Sequence, residues 1–294
     1  MMGMLVNGVP GTSIDANDRG LHYGDGLFET IAVRDGAPAL WDRHMQRLLL
    51  GCERLGIAPI DAAQLLRESL QLCDGVAEGV LKIIITRGSG GRGYRAPPST
   101  HRDVLVSQET GGRERPGAVQ PTRLVALYAW PEYPSAFWIE GVPVRLCSIR
   151  MGSNTALAGI KHLNRLEQVL ARSEWDDSAI PEGLMLDGEG HVIEGTMSNF
   201  FIVRNGRLLT PDLKRCGVAG VMRGCILDGA RDAGIPVDIT QITLDDVKSS
   251  DEAFLCNSLI GVWPVRHCAG IDFPAHRPIT GYIAAMIRER ELQK

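Results

Sequence analysis

Short apolar runs joined by tight-turn dipeptides constrain the fold of this chain more than any other feature of its sequence. Residues 184–209 contain four such runs, with Asp187-Gly188 and Asn205-Gly206 at two of the breaks between them. Asn7-Gly8 and Asp35-Gly36 mark two more turns near the start of the chain. Asn-Gly and Asp-Gly sequences both favour the positive φ angles of two-residue hairpin turns. Strands that come mostly in hairpins predict an α+β fold rather than a doubly wound parallel sheet.

Helices are predicted where apolar residues recur at helical spacing. Residues 42–55 show this spacing most clearly, with Asp42 as the expected N-cap and Gly56 as the expected end. The other predicted helices are residues 61–73, 163–175, 221–233, 244–248 and a terminal helix from 279. A buried strand is expected at residues 80–86, and further strands are expected near residues 123–130 and 143–150 and at residues 252–256.

A polar stretch interrupts these elements at residues 107–121. It is rich in glycine and proline and has no periodicity, which is typical of a mobile linker or surface loop. We therefore predict two domains, an N-terminal α/β domain of residues 1–115 and a C-terminal domain of residues 116–294.

Composition excludes several classes of function. The formal net charge is −4 and the pI is about 6.0, which argues against nucleic acid or an anionic membrane as the main partner. No apolar run approaches the roughly 18 residues that would predict a membrane span, and the N-terminus lacks the basic segment of a signal peptide. The seven cysteines include no CxxC pair, so neither a zinc site nor a disulfide framework is expected. We expect a cytoplasmic protein without a structural metal.

Gly88, Gly90 and Gly93 match the G-x-G-x-x-G pattern of dinucleotide-binding proteins and follow a predicted strand. That mechanism needs a helix to start at the glycines, whereas Tyr94-Arg95-Ala96-Pro97-Pro98 cannot open one. The segment also contains Arg87, Arg92 and Tyr94, so it could form a flexible cationic and aromatic loop for a carboxylated substrate. A solvated glycine loop is the alternative.

Lysine chemistry has few candidates, because only five lysines (82, 161, 214, 248 and 294) are present among 31 basic residues. Lys161 stands in the apolar segment Leu157–Leu163, which favours the neutral amine that attacks an aldehyde. Lys82 also has apolar neighbours. For either residue, a structural lysine whose ammonium reaches out to solvent is the commoner explanation.

Three further features fit the same chemistry. Glu194 follows a predicted strand and could pair with a cationic ring nitrogen, or be an exposed turn residue. The glycines of residues 217–220 precede a helix, whose start could hold a phosphate or be an ordinary junction. Arg47 borders the apolar face of the 42–55 helix and could point inward or stay solvated. Together with Lys161, these residues supply what pyridoxal phosphate needs: an amine for its aldehyde, a carboxylate for its ring nitrogen and cationic groups for its phosphate.

Five segments make the chain resemble the fold-type IV pyridoxal-phosphate enzymes, a family that includes branched-chain and D-amino acid aminotransferases and aminodeoxychorismate lyase. The segments are Tyr23–Glu29, His44–Leu48, Lys161, Glu194–Asn199 and Gly220–Arg223. The resemblance implies two α/β domains with the cofactor between them and a homodimer. It implies Lys161 as the lysine that attaches the cofactor, and it implies a set of cofactor-binding residues: Arg47, Glu194, Ser198, Val221, Met222 and Ser258.

Two segments resemble the lyase rather than the aminotransferases, namely Arg87–Tyr94 and Ala158–Val169. They imply elimination of pyruvate from 4-amino-4-deoxychorismate to give 4-aminobenzoate, with Lys161 as the base and with Arg92, Tyr94 and Thr30 as candidate substrate contacts. The stretch from Tyr94 to Thr122 is longer than the lyase pattern implies. The alternatives are a D-amino acid or branched-chain aminotransferase with the same cofactor site and, from another class, a nucleotide-binding module.

Overall fold

The computed structural model describes residues 1–97 and 119–292 and divides the chain into two compact units. The first unit comprises Met1–Trp130 and Ile160–Asn164, and the second comprises Pro131–Gly159 and Arg165–Lys294.

A six-stranded antiparallel sheet is the framework of the first unit, with strand order β2-β1-β6-β5-β3-β4. The strands are β1 (Gly3–Val6), β2 (Val9–Pro10), β3 (Gly26–Arg34), β4 (Ala37–Pro38), β5 (Glu78–Thr86) and β6 (Thr122–Tyr128). The helices are α1 (Arg19–Tyr23), α2 (Trp41–Leu55) and α3 (Ala62–Cys73), and α2 contacts β3 while α3 contacts β6. Alternate strand residues such as Leu81, Ile83 and Ile85 are completely buried, as expected for one sheet face packed in a core.

Helix α2 forms where its periodicity predicts, but its N-terminus is not capped as expected. The N-cap is Leu40 in a left-handed conformation (φ 53°), and Asp42 lies within the first helical turn. Gly56 ends the helix at φ 62°, as predicted. The five-residue helix α1 was not predicted, because Arg19–Tyr23 is too short to show a period.

The compact units differ from the predicted domains in two respects. Strand β6 pairs with β1 and β5, so the first unit extends to Trp130, whereas the predicted boundary at residues 115 and 116 lies outside the described residues. Residues Ile160–Asn164, with Lys161 among them, belong to the first unit and not to a C-terminal domain. The prediction divided the chain at a single point, so it could not place a short later segment back in the first unit.

The second unit contains a nine-stranded mixed sheet in the order β12-β11-β10-β13-β14-β7-β8-β9, with β15 paired to β14. Its strands are β7 (Val142–Met151), β8 (Glu182–Asp187), β9 (Val192–Gly195), β10 (Asn199–Arg204), β11 (Arg207–Pro211), β12 (Val237–Thr240), β13 (Glu252–Asn257), β14 (Gly261–Cys268) and β15 (Ile271–Asp272). Its helices are α4 (Ala136–Ile139), α5 (Leu166–Arg172), α6 (Val221–Asp232), α7 (Leu244–Lys248) and α8 (Pro278–Leu292).

The predicted meander of residues 184–209 forms strands β8 to β11 and also closes the sheet. Strand β9 pairs with β8 on one side and with β10 on the other, through the partners Glu194 and Asn199. The six strands β7, β8, β9, β10, β13 and β14 therefore form a ring. The fold is α+β, as predicted, although three strand pairs of this unit are parallel. In the part of the chain that is described, no helix has the length and hydropathy of a membrane span.

Candidate active site

Lys161 belongs to a short segment that hydrogen-bonds to strand β3. The Phe28 amide donates to the Lys161 carbonyl at 3.0 Å, and the Leu163 amide donates to the Gly26 carbonyl at 3.0 Å. A Cβ at residue 26 would lie 2.4 Å from the Ile85 carbonyl oxygen, so only glycine allows this approach. The Lys161 Nζ atom lies 4.5 Å from the centroid of the Phe28 ring. The lysine is half-buried, and its predicted apolar setting is present in the neighbouring Ile160, which is buried.

Arg47 is held by a buried carboxylate. Glu29 of β3 is completely buried and accepts hydrogen bonds from Arg47 Nε at 2.8 Å, from Arg47 Nη2 and from His44 Nδ1 at 2.7 Å. Two nitrogens of one guanidinium therefore bind one carboxylate, which fixes the plane of the arginine. Arg47 points inward, and the alternative of a solvated helix residue is wrong.

Burial and these contacts set the charges of the cluster formed by Glu29, His44 and Arg47. Desolvation raises the pKa of the Glu29 carboxyl, but the hydrogen bonds from His44 and Arg47 outweigh it and leave that pKa below its usual value. Desolvation lowers the pKa of His44 and outweighs the attraction of Glu29. His44 is therefore neutral at pH 7 and carries its proton on Nδ1, because an ionised carboxylate can only accept. Its Nε2 atom is buried without a hydrogen-bond partner among the described residues.

Glu194 is buried in the second unit, so the alternative of an exposed turn residue is wrong. It lies in strand β9, and its Oε2 atom accepts the Val218 amide at 2.8 Å. Asn199 stands beside it, with Nδ2 donating to the Val218 carbonyl at 2.8 Å and lying 3.4 Å from Glu194 Oε2. A carboxylate held in this way fits a protonated ring nitrogen.

The N-terminus of helix α6 has no side-chain cap from its N-cap residue. The N-cap is Gly220, which makes no side-chain capping hydrogen bond, so the first-turn amides of Val221 and Met222 are left for another acceptor. A Cβ at residue 220 would lie 1.9 Å from Asn199 Oδ1, which excludes any side chain there. The buried Arg223 ties the first turn of this helix to the end of β11 through hydrogen bonds to Thr210 Oγ1 at 3.1 Å and the Pro211 carbonyl at 2.9 Å.

Ser198 hydrogen-bonds to a carboxylate that the sequence did not single out. Glu182 of β8 is completely buried and accepts from Ser198 Oγ at 2.7 Å, from the Thr196 amide at 2.8 Å and from the Met197 amide at 3.1 Å. Desolvation raises the pKa of Glu182, and these donors offset it only in part. Glu182 thus shapes the turn between β9 and β10. A cofactor contact of Ser198, and one of Ser258 in the turn after β13, remain predictions.

The candidate substrate segment is anchored to helix α1. Arg19 donates to the carbonyls of Gly93 at 3.0 Å and Tyr94 at 3.2 Å, and the Gly93 amide donates to Tyr23 Oη at 3.1 Å. Arg92 and Tyr94 are exposed, so both side chains are accessible. No helix begins at the glycines within residues 88–97, and the structural context of the dinucleotide motif is therefore missing.

Arg87 is not part of a cationic substrate surface, contrary to the sequence-based expectation. It is buried and donates to both oxygens of Asp25 and to the carbonyls of Leu55 and Gly56 at the end of α2. Thr30, the third candidate substrate contact, is half-buried on β3.

The structure groups the predicted residues by unit. The first unit holds Lys161, Arg47, Thr30, Arg92 and Tyr94, and the second holds Glu194, Ser198, Val221, Met222 and Ser258.

Comparison with known proteins identifies the family. The model of the family "Amino-transferase class IV" matches residues 26–268. The chain belongs to this family. It is 36% identical to aminodeoxychorismate lyase of Vibrio harveyi over 273 residues, which cover 92% of this chain and 94% of the relative.

Solved structures of similar enzymes show the same fold. The crystal structure of 4-amino-4-deoxychorismate lyase from Pseudomonas aeruginosa superimposes with a TM-score of 0.87 at 43% identity, covering 97% of this chain and 98% of that one. The branched-chain aminotransferase of the thermophilic archaeon Thermoproteus uzoniensis, solved with norvaline, gives a TM-score of 0.79 at 24% identity, with coverages of 100% and 95%. At that identity the likeness to the aminotransferase concerns the fold alone.

Proposed function

We propose that this class IV chain is a pyridoxal-phosphate-dependent lyase that converts 4-amino-4-deoxychorismate into 4-aminobenzoate and pyruvate. The observation that carries the proposal is the amine of the half-buried Lys161, which lies over the Phe28 ring in a chain 43% identical to a lyase of that name over 97% of its length. The specific likeness to the lyase separates this proposal from the aminotransferases of the same fold.

The residues present fit pyridoxal phosphate. The N-terminus of α6, where Asn199 excludes any side chain at Gly220, offers the Val221 and Met222 amides to a phosphate. The guanidinium of Arg47, fixed by Glu29, supplies the cationic phosphate contact in the first unit. Glu194 supplies the carboxylate for the ring nitrogen. We therefore assign these residues, with Ser198 and Ser258, to cofactor binding.

When bound, pyridoxal phosphate supplies an aldehyde carbon that captures the substrate amine and a ring that accepts negative charge. Lys161 would hold the cofactor through its Nζ atom, and the same atom is the proposed base that takes the proton from substrate C4. Glu194 holds a proton on the ring nitrogen. The bond from C3 to the enolpyruvyl oxygen breaks, that oxygen leaves with the electron pair, and the released enol becomes pyruvate on protonation. The remaining ring becomes aromatic, so the chain needs only to position the substrate and supply one base.

Three side chains of the first unit are proposed to contact the substrate. Arg92 and Tyr94 are exposed on the segment that Arg19 anchors, and Thr30 lies two residues along β3 from Phe28. Arginine and hydroxyl groups bind carboxylates, and the substrate has two carboxylates.

We also propose a cytoplasmic homodimer. All seven cysteines are unpaired and buried, which suits a reducing compartment. Helix α5 exposes Leu166, Val169 and Leu170 at i, i+3 and i+4, with exposed fractions of 75%, 57% and 55%. An apolar stripe of this kind is typical of a subunit interface. Sedimentation of the purified protein at several concentrations tests the dimer.

One assay separates the lyase from its alternative. The purified protein is incubated with 4-amino-4-deoxychorismate and pyridoxal phosphate, without a keto acid, and 4-aminobenzoate and pyruvate are measured. We expect equal amounts of both products. Turnover that needs a keto-acid acceptor and exchanges amino groups would identify an aminotransferase, the fold of which this chain shares.

A further inference from the structure

Lys82 is the one lysine with apolar neighbours that the proposed mechanism does not use. It lies in the middle of β5, directly opposite Thr30 on β3 and Ala126 on β6. Its neighbours Leu81 and Ile83 point to the other face of the sheet and are completely buried, whereas Lys82 is half-buried. The pairing of β5 with β3 and β6 therefore fixes the position of the Lys82 Cα atom and the sheet face on which its side chain lies.

The amino groups of Lys82 and Lys161 lie near one aromatic ring. Lys82 Nζ lies 5.5 Å from the centroid of the Phe28 ring, and Lys161 Nζ lies 4.5 Å from it. The two nitrogens are consequently no more than about 10 Å apart. No carboxylate of the described residues forms an ion pair with Lys82.

A lysine without an anionic partner is most stable with its ammonium in water, because burying an unpaired charge costs free energy. The Lys82 side chain is half-buried, and its Nζ atom lies near the ring that also contacts the proposed catalytic amine. A carboxylate-bearing ligand would supply the counter-charge that the sheet does not.

We propose that Lys82 binds a carboxylate of the substrate and thereby selects carboxylated rings over uncharged ones. The proposal rests on the proposed lyase function. An amine and a carboxylate at opposite positions of a six-membered ring are roughly 6 Å apart, and a charge-assisted hydrogen bond adds about 2.8 Å. The sum does not exceed the upper limit of about 10 Å on the distance between the two nitrogens. Thr30 lies directly across the strand pair from Lys82 and can donate its hydroxyl to the same carboxylate.

The test compares ligands that differ only in this charge. Binding of 4-aminobenzoate and of 4-aminobenzamide to the cofactor-loaded enzyme is measured by calorimetry for the wild type, Lys82→Met and Lys82→Arg. We expect the wild type to prefer the carboxylate at least about tenfold, Lys82→Met to lose the preference and Lys82→Arg to keep part of it. Lys214→Met is the matched control, since Lys214 is exposed and pairs with Asp212.

Kinetics give a second readout. Lys82→Met should raise KM for 4-amino-4-deoxychorismate about tenfold or more and change kcat less than threefold, with cofactor affinity unchanged. If Lys82 acts only by lowering the pKa of Lys161, the ligand preference will persist while the pH titration of the bound cofactor's absorbance shifts. That result would overturn the proposal.

Folding and function are controlled separately. If Lys82→Met does not fold, Lys82→Gln replaces it, and a folded variant with the wild-type ligand preference rejects the assignment. The binding measurement needs no turnover. A wild type that forms no 4-aminobenzoate would therefore refute the proposed function, while loss of the carboxylate preference on removing Lys82 would still support the binding role.

Discussion

Replacing Glu29 by glutamine tests whether the buried carboxylate organises the cluster formed by Glu29, His44 and Arg47. Glutamine keeps the shape of the side chain but loses the charge, and its amide puts an NH2 donor in place of one acceptor oxygen, so that this donor faces a donor of His44 or Arg47. Removing one partner of a buried ion pair typically costs about 3–5 kcal/mol. Because the amide oxygen retains one acceptor, we expect a loss of about 2–4 kcal/mol in the free energy of unfolding of the apoprotein.

The same sheet supplies a control for the Glu29→Gln variant. Glu78 pairs with Arg34, but both side chains are partly exposed, at 50% and 32%. An exposed pair contributes about 1 kcal/mol or less, so Glu78→Gln should be nearly silent. Urea unfolding of both apoproteins at pH 7 measures the difference. If the two variants are equally stable, Glu29 does not carry the role that its burial implies.

The cofactor and the pH give two further checks on Glu29. Without the carboxylate the plane of Arg47 is no longer fixed, so affinity for pyridoxal phosphate should fall together with stability. The folded-state pKa of Glu29 is below its usual value, so the stability it contributes is complete above that usual value and is lost as pH falls through the folded pKa. The difference between wild type and Glu29→Gln should therefore shrink in acid.

Four further outcomes are expected. Lys161→Ala should abolish turnover and covalent attachment, so that borohydride no longer fixes the cofactor; labelling of Lys82 in the wild type would contradict the assignment. Arg47→Ala should weaken cofactor binding about tenfold to a hundredfold in an equilibrium titration, since a charge-assisted contact contributes roughly 1.5–3 kcal/mol. Glu194→Gln should lower kcat by about 10² and leave substrate affinity unchanged, and wild-type turnover would refute its role. The folded-state pKa of His44 is lowered, chiefly by desolvation, so the unfolded chain binds the proton first and wild-type stability should decline below about pH 6.5; His44→Gln should flatten that decline in urea titrations.

Local signals were sufficient to predict part of the fold. The hairpin between β10 and β11 turns at Asn205 (φ 50°) and Gly206 (φ 73°), which is the backbone conformation that this dipeptide favours. The pairing of β7 between β14 and β8 brings together segments far apart in sequence, and no local pattern encodes it. Distant pairing also explains why the first unit extends past the predicted boundary. The glycine-rich stretch resembled a boundary, but β6, which follows it, pairs with β1 and β5.

The candidate site shows the same division between local and distant information. Arg47 and Glu194 could be proposed from short motifs, but their partners could not. The carboxylate that holds Arg47 is 18 residues away on a strand, and Glu182 is 16 residues from Ser198. A glutamate inside an apolar strand was the available signal for Glu29, since a buried charge requires a partner. Arg87 was misinterpreted because its two partner carbonyls, at the end of α2, are more than 30 residues away.

One short loop of the second unit contacts both Glu194 and the start of helix α6, the two groups of that unit that the proposed chemistry needs most. The Val218 amide donates to Glu194, and Asn199 holds the Val218 carbonyl, while Gly220 opens helix α6. The same loop also hydrogen-bonds to Gly159, whose amide donates to the Gly217 carbonyl at 2.8 Å and whose carbonyl accepts the Ala219 amide at 3.0 Å. Lys161 follows Gly159 by two residues along the chain. The sequence explained Gly220 only as part of a phosphate-binding loop, but the structure gives a second reason for a glycine there. Any side chain at residue 220 would displace Asn199, which would disturb Glu194 and the start of helix α6 together.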